Sequence, residues 1–543
     1  MKEQFEVGKK EKGRIRHLAW ILTCIYGAAL FLWNFGRIFD QNYWGDEAFT
    51  VCLVRENISG IIAGTAQDVH PPLYYLILKP FIALLGERGP VFHGVSLLAM
   101  ALTLILCVTE IYRKMGKETA WILMTHIGMS PLAVRYNVEV RMYSWGAFFL
   151  LLSFLFLYRI FLGGERKGWT GFFLTALVAS YTHYYCFLGT AVLLLCLLVF
   201  SAFSGKRMQK KAILLCLGEI LLYLPWLFMI QGAVAKRKEN YWIKEIPSLT
   251  QSLNSVWGKA LSYPLWVFLL ILITARAAAE LRIVTVTSGK EEKKSVTIQK
   301  KERKRTPLCL SWGKPRLTPY SAAILSGLAV LFGTYAAAWV ISVLYRPFLV
   351  VRYLYPAGMI AWTLPGMALH GPVKERERIT GAVLSTSSAK ARKRNRAAGW
   401  VKPVLAVLFS VYLLSSYYPD ARQVREREEK QNQKLVQTLE AMGDVSSGDE
   451  ILTDVRHIAW TIGRCYFPQT EIRMFTPPEN PLPDKEKISW LVVKNDKKNK
   501  ETLAEILSRI KEQGFCLEER IENGNLGTHP VTVYRVWEGE ETP

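Results

Sequence analysis

Stretches of about 20 apolar residues, the length that crosses the hydrocarbon core of a bilayer, dominate this chain. They recur near 17–39, 90–112, 119–134, 143–162, 169–183, 186–203, 212–230, 261–280, 319–345, 353–370 and 401–418. A soluble core has no room for so many segments of that length, so the sequence reads as an α-helical polytopic membrane protein with about 11 transmembrane helices. The segment 71–86 (PPLYYLILKPFIALLG) is apolar too, but Lys79-Pro80 interrupts it. It is expected to be re-entrant or interfacial rather than a crossing.

Charge sorts these segments into a topology. The chain carries 68 Lys+Arg and 45 Asp+Glu, a net charge of +23. With the N-terminal tail placed inside, the cytoplasmic segments are 1–16, 113–118, 163–168, 205–211, 276–316 and 371–402, which hold 36 basic and 11 acidic residues, a net of +25. The excess positive charge therefore lies on one side, as the positive-inside rule requires. The Lys/Arg runs at 290–305 and 390–396 read as cytoplasmic loops beside anionic membrane lipids, and no nucleic-acid partner is expected. The first span follows the basic tail 1–16 without a small-x-small cleavage signal and reads as an uncleaved anchor.

The predicted organisation is a cytoplasmic tail (1–16), a transmembrane domain (17–418) and an extracytoplasmic α/β domain (419–543). Within the transmembrane domain lie a first outer loop at 40–89 and basic cytoplasmic loops at 281–316 and 371–400. In the outer domain, 421–442 is a polar helix, 450–455 (EILTDV) and 488–493 (ISWLVV) are strands, and 500–513 is a helix ending at Gly514. A last hairpin, with Asn523-Gly524-Asn525 near its turn, runs to VTVYRVW at 531–537. This domain has no phosphate-binding Gly-rich loop and reads as a lid or docking surface. None of the nine cysteines forms a C-x-x-C pair, and Cys465 and Cys516 are the two that fall in the outer domain, where a disulfide is an open question.

Four polar clusters fall on the outer face: NYWGDEAFT with Asp46 and Glu47; DVHPPLYY with His70; RYNVEVRMY with Arg135, Glu139, Arg141 and Tyr143; and Tyr181, His183, Tyr184 and Tyr185 together with Arg346, Arg352 and Tyr353. Taken singly, an Asp-Glu pair reads as solvated and a boundary tyrosine as interfacial belt. Ionisable groups converging on one membrane face are instead a functional signature. Carboxylates supply a general base for a hydroxyl, and arginines hold phosphate oxygens. Glycosyl transfer from a polyprenyl phosphate fits both: phosphate departs to the arginines while a carboxylate activates the acceptor hydroxyl on the opposite face, with inversion.

In order, WGDEAFT, His70-Pro-Pro-Leu-Tyr-Tyr75, Ser130-Pro131 followed by Glu139-Val-Arg141-Met-Tyr143, Tyr181-Thr-His183-Tyr184 and Arg352-Tyr-Leu-Tyr-Pro356 resemble bacterial GT-C glycosyltransferases of the family-39-like group, which includes protein O-mannosyltransferases and aminoarabinose transferases. The resemblance covers roughly 17–370. It implies a polyprenyl-phosphate-linked sugar donor, a lipid, glycan or protein acceptor, and an extracytoplasmic active site in a multi-pass plasma-membrane protein. It also implies Asp46 as catalytic base with Glu47 beside it, and Glu139 as a second catalytic acid. His70, Arg141, Tyr143, His183, Tyr184, Arg352 and Tyr353 are then the expected donor-phosphate and substrate contacts. Arg141 would orient Glu139 or meet the phosphate. No cofactor is fixed: relatives differ on metal dependence, and His70 with His183 or Glu139 is the candidate set for a divalent ion. The long basic loop at 281–316 and the C-terminal domain depart from these relatives, which leaves sugar and acceptor open. The alternatives are a transporter or flippase, or a polymerase or ligase, of lipid-linked saccharides. The transporter reading wants internal repeats and mid-span charges, and the polymerase reading gives no reason for Asp-Glu in the first outer loop.

Overall fold

The computed structural model describes residues 2–68, 70–163, 166–236, 245–258, 267, 269–276, 278, 318–345, 347–371, 389–443, 445–474, 488–495, 500–512 and 514–539. The loop at 281–316, most of 371–400 and Arg346 lie outside these residues, as does much of the segment 261–280. Helices in chain order are α1 (Lys2–Phe35), α2 (Gly45–Arg55), α3 (Ile58–Gln67), α4 (Leu73–Leu85), α5 (Gly89–Leu106), α6 (Lys117–Met129), α7 (Pro131–Val138), α8 (Tyr143–Phe161), α9 (Arg166–Thr182), α10 (Tyr184–Ser204), α11 (Lys206–Lys236), α12 (Leu249–Trp257), α13 (Pro319–Leu344), α14 (Tyr355–Ala361), α15 (Leu364–His370), α16 (Ala389–Met442) and α17 (Lys500–Glu512).

Seven of the described helices are long and apolar enough to cross a membrane: Gly13–Phe39, Gly89–Lys114, Tyr143–Phe161, Tyr184–Ser204, Lys206–Gly232, Pro319–Leu344 and Val401–Met442. Three other apolar stretches read as spans in the sequence are shorter or broken. The stretch 119–134 is divided by Ser130-Pro131 between the 13-residue α6 and α7, and 169–183 lies in the 17-residue α9. Pro356 and Pro365 each begin a seven-residue helix in 353–370, since proline suits a first turn and not an interior. The stretch 71–86 forms the 13-residue α4, roughly 20 Å long and too short to cross. Its Lys79 donates to the carbonyls of Val54 at 3.0 Å and Glu56 at 2.6 Å, capping the end of α2.

The last span does not stop at the interface. It continues as one 54-residue helix, α16, into the polar stretch that the sequence marks at 421–442. Beyond it β1 (Glu450–Thr453), β2 (Glu471–Met474), β3 (Ile488–Lys494), β4 (Phe515–Leu526) and β5 (His529–Glu538) form a sheet of order β2-β1-β3-β5-β4. β1 runs parallel to β2 and β3, while β5 is antiparallel to β3 and β4. Alternation along the strands splits the sheet faces: Leu491 and Val493 pack with Ile506 and Ile510 of α17, whereas Trp490 and Val492 join the main core with Leu435 and Ile462. The strand β2 has no clear sequence signal, since its burial alternates at half strength. Asn523-Gly524-Asn525 sits inside β4, at a register shift; the turn is Gly527-Thr528, where Gly527 has φ +62°. Cys465 and Cys516 are both free thiols.

This domain clamps the segment between α1 and α2. Tyr466 donates to the Gln41 carbonyl and accepts from the Tyr43 N–H, each at 2.8 Å. Asn525 donates to Asn42 at 3.0 Å, and Arg55 donates to the Arg464 and Cys465 carbonyls. A Cβ on Gly527 would meet the Tyr43 carbonyl at 2.8 Å, so the hairpin tip rests on the loop. Below it, Arg37 makes a two-pronged pair with Glu428 of α16 at 2.8 and 2.7 Å, and also donates to the Val134 carbonyl. Arg37 is 5% exposed at its side chain and Glu428 28%. Glu428→Ala should therefore cost about 2 kcal/mol, between the exposed and buried limits for ion pairs. Thermal unfolding in detergent checks this, and an unchanged midpoint would show that the pair does not hold α16 to the loop.

Candidate functional site

The site is assembled from the first turn of α2, the loop between α7 and α8, the joint between α9 and α10, and the 351–354 turn. Trp44 is extended (ψ 171°) and α2 begins at Gly45, which puts Asp46 and Glu47 in its first turn. Carboxylates there meet the positive end of the helix dipole. Adjacent residues on a helix point about 100° apart, and the two side chains separate accordingly. Glu47 is buried, and both of its oxygens accept backbone N–H groups, from Val140 at 2.8 Å and Trp44 at 3.3 Å. Asp46 is 35% exposed and faces Arg352, with Nη2 to Oδ2 at 3.3 Å.

Ser130 caps α7 through the Ala133 N–H, and Pro131 fills its first turn. The helix ends at Glu139, where a tight turn (Arg141 N–H to Glu139 carbonyl, 2.6 Å) leads into α8. Arg141 is 2% exposed, and its Nη1 donates to the Asp46 carbonyl at 3.1 Å and to the Thr50 and Tyr75 hydroxyls at 3.2 Å. The guanidinium thus holds the first turn of α2 from behind. Glu139 is buried beside it, and its Oε1 has no partner among the described residues. A cavity of about 130 Å³ behind this loop is lined by Asp40, Glu47, His93, Arg135 and Glu139, among others.

The opposite wall is aromatic. His183 interrupts α9 and α10 in extended conformation, and its Nδ1 accepts the Tyr185 N–H at 3.1 Å, which leaves Nε2 to carry the proton. Its ring stacks on His70 at 5.1 Å and meets Tyr353 edge-on at 4.9 Å. Tyr143 lies 5.7 Å from His183 and 6.0 Å from Tyr353. The Arg352 guanidinium sits over Trp44 at 5.2 Å and Tyr353 at 5.3 Å, so it lies between this wall and Asp46.

Of the sequence candidates, Asp46, Glu47, His70, Glu139, Arg141, Tyr143, His183, Arg352 and Tyr353 come together in this one region. Tyr184 does not: a helix turn directs it away, to pack with Tyr223 and Trp226 of α11. The neighbouring Tyr185 takes the site-facing place, 5.3 Å from Tyr353. His93 and Tyr136 were not singled out. His93 bonds the Val138 carbonyl at 2.8 Å and lies 3.9 Å from Glu47, yet in sequence it is one polar residue in an apolar helix, with no distinguishing signal. Among the described residues no three His, Cys, Asp or Glu side chains converge as metal ligands.

Burial pushes the Glu47 carboxyl up to about 8, and burial together with the nearby Glu47 does the same to Glu139. Unfolded, these groups titrate near ~4.3. The folded state therefore binds the protons more tightly, and the associated stability is full below about pH 4 and is lost as pH rises toward about 8. The melting temperature of the solubilised protein is expected to fall across that window, and Glu139→Gln should flatten the fall. An identical slope in the variant would remove Glu139 as a titrating group.

No protein-family model and no curated protein matches the sequence. Among solved structures, ArnT from Cupriavidus metallidurans in the apo state aligns with a TM-score of 0.55 and 14% identity, over 96% of this chain and 98% of that one. ArnT from the same organism bound to undecaprenyl phosphate aligns with a TM-score of 0.50 and 14% identity, over 94% and 97%. The alignment extends over the C-terminal domain, which the sequence alone was expected to set apart from these relatives, so that expectation does not hold. This chain is a multi-helix membrane protein with the GT-C-type fold of ArnT.

Proposed function

We propose that the protein is a membrane glycosyltransferase that moves a sugar from a polyprenyl-phosphate donor to an acceptor hydroxyl on the extracytoplasmic face, with inversion. The observation that carries the reading is the Asp46–Arg352 pair, a carboxylate and a guanidinium 3.3 Å apart at the mouth of a buried polar site. The undecaprenyl phosphate bound to ArnT supports a donor of this lipid class. In the free protein Arg352 holds Asp46. Donor phosphate competes for the guanidinium through charge-assisted hydrogen bonds, so donor binding frees the carboxylate to act as general base as the acceptor arrives. The acceptor proton passes to Asp46, the new glycosidic bond forms as the bond to phosphate breaks, and the departing phosphate stays with Arg352. Asp46 and Arg352 are the catalytic residues in this reading; Glu47 and Arg141 are positioning residues that fix the first turn of α2, and Glu139 is a buried carboxyl in the wall of the adjoining cavity. The histidine-tyrosine wall, His70, Tyr143, His183 and Tyr353, lines the donor side. Lys/Arg sorting supports an extracytoplasmic site with the N-terminus inside.

Deleting the gene in its native host and comparing envelope glycans, lipids and proteins by mass spectrometry tests the reading. The expected result is one acceptor class lacking a single sugar, with its parent structure intact. Loss of whole glycans with lipid-linked saccharide trapped on the cytoplasmic side would identify a flippase instead.

A further inference from the structure

Among the described residues, the thiols of Cys52, Cys465 and Cys516 lie outside the seven apolar spans, and all three are free. Cys465 and Cys516, the pair that the sequence puts in one domain, are at opposite edges of its sheet. Cys516 is in the edge strand β4, whereas the short helical segment 458–466 that carries Cys465 packs through Gly463 on Ile472 of the other edge strand, β2. Four strand spacings of about 4.8 Å put roughly 19 Å between those edges. A disulfide holds its two Cα atoms within about 7 Å.

The thiol that Cys465 meets is Cys52 of α2. The Cys52 Sγ lies 3.7 Å from the Thr461 carbonyl oxygen. Arg55, three residues on and therefore on the same face of α2, donates to the carbonyls of Arg464 at 2.9 Å and Cys465 at 3.2 Å. A helical carbonyl is about 3 Å from the N–H four residues later, so Thr461 links the Cys52 sulfur to the Cys465 backbone nitrogen over roughly 7 Å or less. Cys465 is 7% exposed in the main core, and Cys52 packs against that core. Two thiols thus face one seam, where α2 meets the C-terminal domain.

We propose that Cys52 and Cys465 form a disulfide when the protein meets an oxidising low-molecular-weight disulfide. The Cys52 thiolate, the less buried of the two and beside Arg55, attacks one sulfur of the oxidant and expels a thiolate; the Cys465 thiolate then displaces the second. One S–S bond forms as one breaks, and the protons lost by the two cysteines end on the two expelled thiols. The bond fixes α2 to the C-terminal domain six residues beyond Asp46, and by closing a loop from 52 to 465 it restricts the unfolded chain. The oxidising surroundings rest on the extracytoplasmic placement proposed above; the pairing itself rests on the geometry alone.

Peptide mapping of the full-length protein without reduction tests the pairing. One sample comes from native membranes with free thiols blocked by N-ethylmaleimide, and a second, purified in detergent, is incubated with oxidised glutathione. Burial raises both thiols above their ordinary range, so exchange is slow and the incubation runs for hours. The expected product is a tryptic pair joining 38–55 to 465–473 in most chains, lost on reduction, absent from Cys52→Ser and Cys465→Ser and retained in Cys516→Ser. Reduction should lower the melting midpoint of the wild type and leave that of Cys52→Ser unchanged. Absence of the linked pair from both samples, or a link through Cys516, would overturn the inference. A pair formed with glutathione and absent from native membranes upholds the geometry and counts against the extracytoplasmic placement, which labelling of Ser447→Cys by a membrane-impermeant maleimide on whole cells decides separately.

Discussion

Replacing Asp46 by Asn is expected to lower sugar transfer by roughly 10²–10⁴-fold, the contribution of a positioned general base, while the protein remains folded and in the membrane. The amide keeps the size of the side chain and removes its ability to take the acceptor proton. Structural damage should be small, because the carboxylate is 35% exposed and its pair with Arg352 is long at 3.3 Å. Pairs of this kind contribute about 1 kcal/mol or less, and what holds the first turn of α2 is elsewhere: Glu47 on Val140 and Trp44, and Arg141 on the Asp46 carbonyl. Steady-state transfer with a defined donor, beside a melting curve, makes the comparison. Wild-type turnover in the variant would end the assignment of Asp46 as base.

Replacing Arg352 by Ala is expected to weaken donor use by roughly tenfold to a hundredfold, the range for losing charge-assisted hydrogen bonds to a phosphate. Acceptor dependence should change little. Arg352→Lys should restore part of the loss, since an ammonium supplies charge but not the planar two-pronged geometry. Because Arg352 also covers Trp44 and Tyr353, the Lys variant separates lost charge from lost packing. Varying donor and acceptor concentrations independently provides the measurement. Unchanged donor affinity in Arg352→Ala would reduce the residue to an interfacial anchor.

Much of the site was legible in sequence because its residues break a strong local rule. Asp46, Glu139, Arg141 and Arg352 stand out against apolar surroundings, where a charged side chain needs a reason. His93 broke no such rule, as a single imidazole inside an apolar helix, and only the fold brings it within 3.9 Å of Glu47. Tyr184 and Tyr185 were equivalent in sequence, and the N-cap at His183, just before α10, decides which of them meets the site. The division of labour between Asp46 and Glu47 was also hidden, since it follows from the direction of two adjacent side chains in one helical turn. In the C-terminal domain the buried strands β1 and β3 were readable from their β-branched runs. The hairpin turn was not: Asn-Gly-Asn is a strong turn signal, but Asn525 is occupied in β4, where its N–H donates to Thr438 of α16 at 2.8 Å. Tertiary docking overrode the local preference and moved the turn to Gly527.

The most direct measurement follows the reaction itself. The purified full-length protein is placed in vesicles with a polyprenyl-phosphate sugar of defined anomeric configuration and with envelope extract from the deletion strain as acceptor. Released polyprenyl phosphate is quantified, and the product linkage is assigned by NMR. The account predicts one lipid phosphate released per sugar transferred, an inverted anomeric centre, and loss of both signals in Asp46→Asn. Retention of configuration, or release by Asp46→Asn at the wild-type rate, would contradict it.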